Sequence, residues 1–250
     1  MVQLQRISLE QAQSVGTDLA LTSAQHHYLC RVLRLRPGDR FWVSNGAGQQ
    51  WQAQLGPKPA TAQILPNDLP NQGPDQAIKA IAPPITLMAA LPKGNGFDQV
   101  VRQATEIGVG QMMTVISDRT LLRTSEQKLS RWRRIAAEAA EQSERLIVPK
   151  ITEPLTFGEA LAQRPKDEAG LICAARADGR PLRHYLSQHD WERSLVLAVG
   201  PEGGWTQDEI KAAIAVGYQP VGLGRGILRA VTAPLVGLAL INAAWEERQL

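Results

Sequence analysis

From residue 85 onward, short apolar runs alternate with helical patterns, and this alternation constrains the fold more than any other feature of the chain. Strand-like runs occupy Ile85–Leu91, Met112–Ser117, Gly170–Ala175, Ser194–Val199 and Gln219–Leu223. Helical patterns follow at Phe97–Ile107, Glu126–Leu146, Thr206–Val216 and Thr232–Arg248. Strands separated by helices can run in the same direction, so the pattern predicts an α/β fold: a parallel sheet covered on both faces. Within the longest helix, Leu129, Trp132, Ile135, Ala136 and Ala139 define an apolar stripe, while Arg134–Glu138 and Glu141–Arg145 are i,i+4 pairs. Thr206 followed by Glu209 is a capping box, which marks a helix start.

The residues before this alternation read differently. Phe41 and Val43, then Trp51, Ala53 and Leu55, form period-two runs on either side of SNGAG, as expected of a hairpin. Ser23 to Leu33 predicts a short helix, and Arg36-Pro37-Gly38-Asp39 a turn. A small β-barrel with one helix accommodates these elements. Five prolines, two asparagines and a glycine punctuate residues 66–84, so an irregular connection is expected there. The boundaries read from this are a barrel domain over 1–70, a linker over 71–84 and an α/β domain over 85–250.

Net charge is only +3, which permits a polyanionic partner without demanding one. The distribution is more telling. Arg31, Arg34, Arg36 and Arg40 fall within ten residues just after His26-His27. Together they form a candidate phosphate-positioning patch, which lends salt-dependent affinity rather than sequence choice. Adjacent histidines on a helix diverge, so His26 is a candidate contact to such a polyanionic partner or part of a solvated edge, and not half of a metal site. Cys30 and Cys173 stand far apart in apolar runs, without metal-ligand spacing, and read as inert thiols with no zinc. The opening MVQLQRISLE lacks the apolar run of a signal peptide, and no stretch is apolar enough for a membrane span. The expectation is a cytoplasmic protein.

Two glycine-rich segments stand at strand ends. Val196-Leu197-Ala198-Val199 runs directly into Gly200-Pro201-Glu202-Gly203-Gly204, and Leu223-Gly224-Arg225-Gly226-Ile227-Leu228-Arg229 follows the last strand-like run. Ligands bind at the carboxyl ends of strands in open α/β sheets. Glycines let backbone approach a ligand closely, although a tight strand-to-helix turn has the same composition. Two such loops in one sheet can wall one pocket, with Leu223, Ile227 and Leu228 as its apolar contacts. Rival nucleotide motifs are missing: there is no GxxxxGK[ST], and no GxGxxG after the first strand of an α/β unit.

With these residues in view, LPKGNGFDQVVRQATEIGV, AAEQSERLIVP, VGPEGGWTQDEI and LGRGILRAVTA resemble the signature blocks of the bacterial 16S ribosomal RNA (uracil-N3)-methyltransferase family, within the SPOUT superfamily. HHYLCRVLRLRPGD resembles its PUA-like N-terminal barrel, so the likeness covers nearly the whole chain. The resemblance implies a SPOUT-type parallel sheet with a C-terminal trefoil knot, S-adenosylmethionine as donor, ribosomal RNA as substrate and a homodimer with its active site near the subunit interface. It places the cofactor against Val199, Gly200, Pro201, Glu202 and Gly203, and against Leu223, Gly224, Ile227, Leu228, Arg229, Thr232 and Ala233. Glu106, Arg145 and Lys93 also lie in matching blocks, the first two as candidate catalytic residues and Lys93 as a candidate RNA contact.

Two departures stand out. The family usually reads ILRTETA where this chain has Ile227-Leu228-Arg229-Ala230-Val231-Thr232-Ala233, and LPKGDR where this chain has Leu91-Pro92-Lys93-Gly94-Asn95-Gly96. Removing the N3 proton of uracil requires a base, or a cation beside O2 or O4. Glu202 and Arg229 are the candidates nearest the loops; Glu202 equally suits support of the helix that starts at Thr206, and Arg229 a salt bridge. Two further readings compete: a ribose 2′-O methyltransferase of the same superfamily, and a non-catalytic RNA-binding protein on a decayed methyltransferase fold.

Overall fold

The continuous apolar run Leu195–Val199 is buried at every residue, the signature of a strand with both faces covered, and the larger sheet is built around it. A computed structural model of the chain describes residues 6–9, 14–15, 17–65, 85–121, 124–165, 167–174 and 180–248. The predicted connection over 71–84 lies outside them. By internal packing the chain forms two units, residues 1–81 with 140–148, and residues 82–139 with 149–250.

In the first unit, β1 (Arg6–Ser8), β2 (Ser14–Val15), β3 (Asp18–Ala20), β4 (Arg40–Ser44), β5 (Gln50–Leu55) and β6 (Thr61–Ile64) form one sheet in the order β1-β4-β5-β6-β3-β2. Every pairing is antiparallel except β1 with β4. The predicted hairpin is β4–β5, in register from Arg40↔Gln54 to Ser44↔Gln50. Asn45 shapes its turn, with Oδ1 accepting from the Ala47 and Gln49 amides at 2.9 and 3.1 Å. Helix α1 (Ser23–His27) starts on a Thr22–Gln25 capping box and widens into a π-helical turn, Tyr28–Val32. Ile7, Leu19, Leu29, Phe41, Val43, Ala53 and Leu55 form the core.

The second unit contains β7 (Ile85–Ala90), α2 (Gly96–Ile107), β8 (Gln111–Ile116), α3 (Glu126–Gln142), β9 (Lys150–Ile151), β10 (Leu155–Thr156), α4 (Phe157–Ala162), β11 (Ala169–Cys173), β12 (Arg180–Pro181), α5 (Leu182–Leu186), β13 (Leu195–Val199), α6 (Gln207–Ala215), β14 (Tyr218–Gly222) and α7 (Ala233–Glu246). The sheet order is β10-β8-β7-β13-β11-β14-β12, with β9 also on β8, and every pairing is parallel. The alternation therefore appears as expected, and β9, β10, β12, α4 and α5 are short additions that carried no periodic signal. Leu129, Trp132, Ile135, Ala136 and Ala139 are buried, as the stripe on α3 predicts.

One boundary differs. The helical pattern to Leu146 ends instead at Gln142, because Glu144 turns into the left-handed region at φ 57 and the Arg145 amide donates to Ala140 O at 2.8 Å. The residues that follow pair within the first unit: Ala47 bridges Ile147, and the Gly48 amide donates to Leu146 O at 2.9 Å. Residues 140–148 thus pack with the first unit, although the sequence reading groups them with 85–250.

Candidate functional site

Parallel strands place all their carboxyl ends on one edge of the sheet, and β7, β13 and β14 each end there in a loop. The loop after β13 is held from several sides. The Gly204 amide donates to Pro201 O at 2.8 Å, with Gly204 at φ 67, a conformation that favours glycine. A Cβ at Gly200 would lie 3.1 Å from Trp205 N and 3.2 Å from the Gly204 carbonyl carbon, so the loop folds tightly onto its own start. Glu202 Oε1 accepts from the Lys93 amide at 2.9 Å, which ties this loop to the one after β7. Arg119, in the turn after β8, donates through Nη1 to Gly203 O at 2.6 Å and Trp205 O at 3.4 Å.

The predicted capping box closes the loop. Thr206 Oγ1 accepts from the Glu209 amide at 3.2 Å, and Glu209 Oε2 accepts from the Thr206 amide at 2.7 Å. Glu209 is buried, and its other oxygen accepts from the Asp118 amide at 3.0 Å, so one carboxylate joins two strand-end turns.

The loop after β14 is open by comparison. A Cβ at Gly224 or Gly226 would meet nothing within 4 Å. Ile227 is 69% exposed, a large apolar side chain without cover. Arg225 and Arg229 are exposed, and Leu223 and Leu228 half-buried. The loop ends in a turn where the Thr232 and Ala233 amides both donate to Arg229 O at 2.9 Å, and α7 begins.

By residue 231 this loop has reached the segment that follows β7, where α2 begins. A Cβ at Gly96 would lie 2.7 Å from Val231 Cγ1, so glycine is the residue that fits beneath Val231. Since β7 and β14 are separated by β13 and β11, the loop spans the ends of both intervening strands. The two departures from the family pattern thus meet: position 96 has lost the usual arginine, position 231 the usual glutamate, and the replacements stand against each other. The surroundings fit S-adenosylmethionine, because open space beside backbone polar groups and the bare Ile227 suits a ligand with an apolar purine face and a polar edge.

The other predicted residues are more scattered. Glu106 is exposed on the last turn of α2, and the ten residues from Gly96 correspond to about 15 Å of helix. Arg145 is in the first unit, where it is 8% exposed and burial lowers its pKa to about 10. Arg31, Arg34, Arg36 and Arg40 are exposed in the first unit between α1 and the start of β4, with His26 half-buried beside them in sequence. Lys93 is exposed and belongs to the β7 loop. Both cysteines are free; Cys30 is half-buried, and burial pushes the Cys173 thiol up to about 12. Among the described residues no cluster could hold a metal, and no helix is long and apolar enough to cross a membrane.

Sequence reasoning missed Arg119. The rule that singled out the glycine loops, that function gathers where strands end, applies equally to Asp118-Arg119 after β8 and could have found it.

Comparison with known proteins sets the class first. An RNA methyltransferase domain matches residues 80–242, and an RNA methyltransferase PUA domain matches residues 21–65. The chain is 46% identical over 248 residues to the ribosomal RNA small subunit methyltransferase E of Synechocystis sp., covering 96% of this chain and 78% of that one. It is 26% identical over 251 residues to the protein of that name from Bacillus subtilis, covering 96% and 94%. The crystal structure of the Neisseria gonorrhoeae ribosomal RNA small subunit methyltransferase E bound to S-adenosyl methionine superposes with a TM-score of 0.77 at 30% identity, covering 95% of this chain and 96% of that one. The chain belongs to the ribosomal RNA small subunit methyltransferase E family. The expected SPOUT-type α/β fold and PUA-like N-terminal domain stand accordingly.

Proposed function

We propose that this protein transfers a methyl group from S-adenosylmethionine to N3 of a uridine in small-subunit ribosomal RNA. The observation that carries this is the meeting of three strand-end loops, linked by Lys93–Glu202 and Gly96–Val231, in a chain of this family. When bound, S-adenosylmethionine supplies the electrophilic methyl group. Val199, Gly200, Pro201, Glu202 and Gly203 form the rigid wall that receives it. Leu223, Gly224, Ile227, Leu228, Arg229, Thr232 and Ala233 form the wall that covers it, with Ile227 buried in the process.

Positioning of donor and acceptor supplies much of the rate in an in-line methyl transfer. The chain's chemical task is to accommodate negative charge as N3 loses its proton, and the exposed Arg229 guanidinium is the group at the loop suited to it. Glu202, already bonded to the Lys93 amide, sets the spacing of two loops. Glu106, remote from the loops in its own chain, acts through the partner subunit of a homodimer, and buried Arg145 supports the first unit.

A homodimer is favoured by α7, an apolar helix on which Ala239, Leu240 and Ala243 remain exposed; a helix apolar all round is normally covered. The span of the second loop across β11 and β13 favours a trefoil knot. We assign residues 1–70 and the patch of His26, Arg31, Arg34, Arg36 and Arg40 to RNA positioning, with Lys93 beside the site. Residues 71–84 serve as the linker and 85–250 as the catalytic domain. Action on ribosomal RNA favours a cytoplasmic setting without membrane attachment.

The test is methylation of ribosomal RNA and of small subunits with labelled S-adenosylmethionine, followed by mass mapping. Label on N3 of one uridine is expected. Label on a ribose would sink the N3 assignment, and lack of saturable cofactor binding would sink catalysis altogether. Arg229→Lys is expected to lower kcat about 100-fold.

A further inference from the structure

Beside the second loop lies a basic depression with no role in the site described above. Its volume is about 560 Å³, and Arg180, Pro181, Arg183, His184 and Ser187 line it. All five are exposed. Arg180 Nη1 stands 3.1 Å from His184 Nε2; a guanidinium can only donate, so the imidazole nitrogen accepts and the second ring nitrogen is left as a donor. Ser187 Oγ donates to His184 O at 2.8 Å, which braces the end of α5 where it lines the depression. Among the described residues no carboxylate lines it or pairs with Arg180 or Arg183. The walls present two guanidinium forks and an imidazole, a donor set suited to an anion rich in acceptor oxygens.

Its place in the sheet gives the anion a context. β12 pairs with β14 at Arg180↔Val221 and Pro181↔Gly222, the last residues before the second loop begins. Edge strands are often blunted by proline and charge, which accounts for Arg180 and Pro181. That explanation does not reach Arg183 and His184, which come from α5 and turn an edge into a concave surface.

We propose that Arg180, Arg183 and His184 form a phosphate-binding groove that holds the backbone of the RNA substrate beside the second glycine loop. This rests on the RNA methyltransferase reading above. The groove carries no base readout; it fixes where the strand lies relative to the cofactor wall, while the arginines of the first unit grip elsewhere.

The test uses the full-length protein and a small-subunit ribosomal RNA fragment, with affinity measured across a salt series. In Arg180→Gln/Arg183→Gln the slope of log K against log salt should fall by about 1.5, since each lost phosphate contact removes roughly 0.7–0.9. KM for RNA should rise at least tenfold, with kcat and S-adenosylmethionine affinity unchanged. Arg183→Gln alone, at an exposed helix position, should give about half the change in slope. Lys211→Gln/Arg248→Gln removes the same charge elsewhere and should leave KM unchanged. An unchanged slope in the double variant, or an equal loss in the charge control, overturns the groove while leaving the enzyme reading intact. A wild-type protein that neither binds nor methylates this RNA overturns both.

Discussion

The two glycine loops look alike in sequence and are built in opposite ways. The loop after β13 is bonded to its surroundings by Glu202, Arg119 and the buried Glu209, and it folds tightly at Gly200. The loop after β14 has open space at Gly224 and Gly226 and an uncovered Ile227, and its described anchor is Val231 against Gly96. A site that must admit and release a cofactor needs one wall that is preorganised and another that gains its packing from the ligand. On the function proposed above, the contrast divides labour: geometry comes from the first loop, and binding energy that depends on occupancy comes from the second.

The comparison breaks most visibly at Glu209. Glu209→Ala would strand the Thr206 and Asp118 amides, and a loss of about 3 kcal/mol in chemical unfolding is expected. A loss below about 1 kcal/mol would mean that the first loop is not fixed from below. Next comes the anchor of the second loop. Gly96→Val puts a Cβ 2.7 Å from Val231 Cγ1 and should cost about 2 kcal/mol, much of it recovered in Gly96→Val/Val231→Ala. Strict additivity in that double-mutant cycle would show that the two positions do not meet.

Ile227→Ala should leave the melting temperature unchanged and weaken S-adenosylmethionine binding about tenfold, because the side chain is exposed until a ligand covers it. Calorimetry that finds the reverse, lost stability with full affinity, would refute the assignment of Ile227 to the cofactor wall. The smallest effects sharpen the contrast. Gly204→Ala, at φ 67, should cost about 1 kcal/mol, while Gly226→Ala, facing open space, should change stability by less than about 0.5 kcal/mol.

Much of this was legible in the residues. The buried run Leu195–Val199, the stripe on α3, the Thr206–Glu209 capping box and the β4–β5 hairpin were all readable from spacing, because each depends on neighbours a few residues away. Glu209 was legible only in part. Its bond to the Thr206 amide is local, whereas its bond to the Asp118 amide joins residues far apart in the chain. Glu202 shows the same limit: spacing suggested support for the following helix, and the carboxylate instead accepts from Lys93.

The sequence by itself determined the class of fold, the position of both loops and the family, because local periodicity, turn chemistry and signature blocks are written in short stretches of chain. Tertiary structure decided which of the two loops is rigid, that Val231 rests on Gly96, that Arg119 clamps Gly203, and that residues 140–148 pack with the first unit. Those outcomes depend on strand order. β13 enters between β7 and β11, and no local pattern encodes which neighbours a buried strand will find.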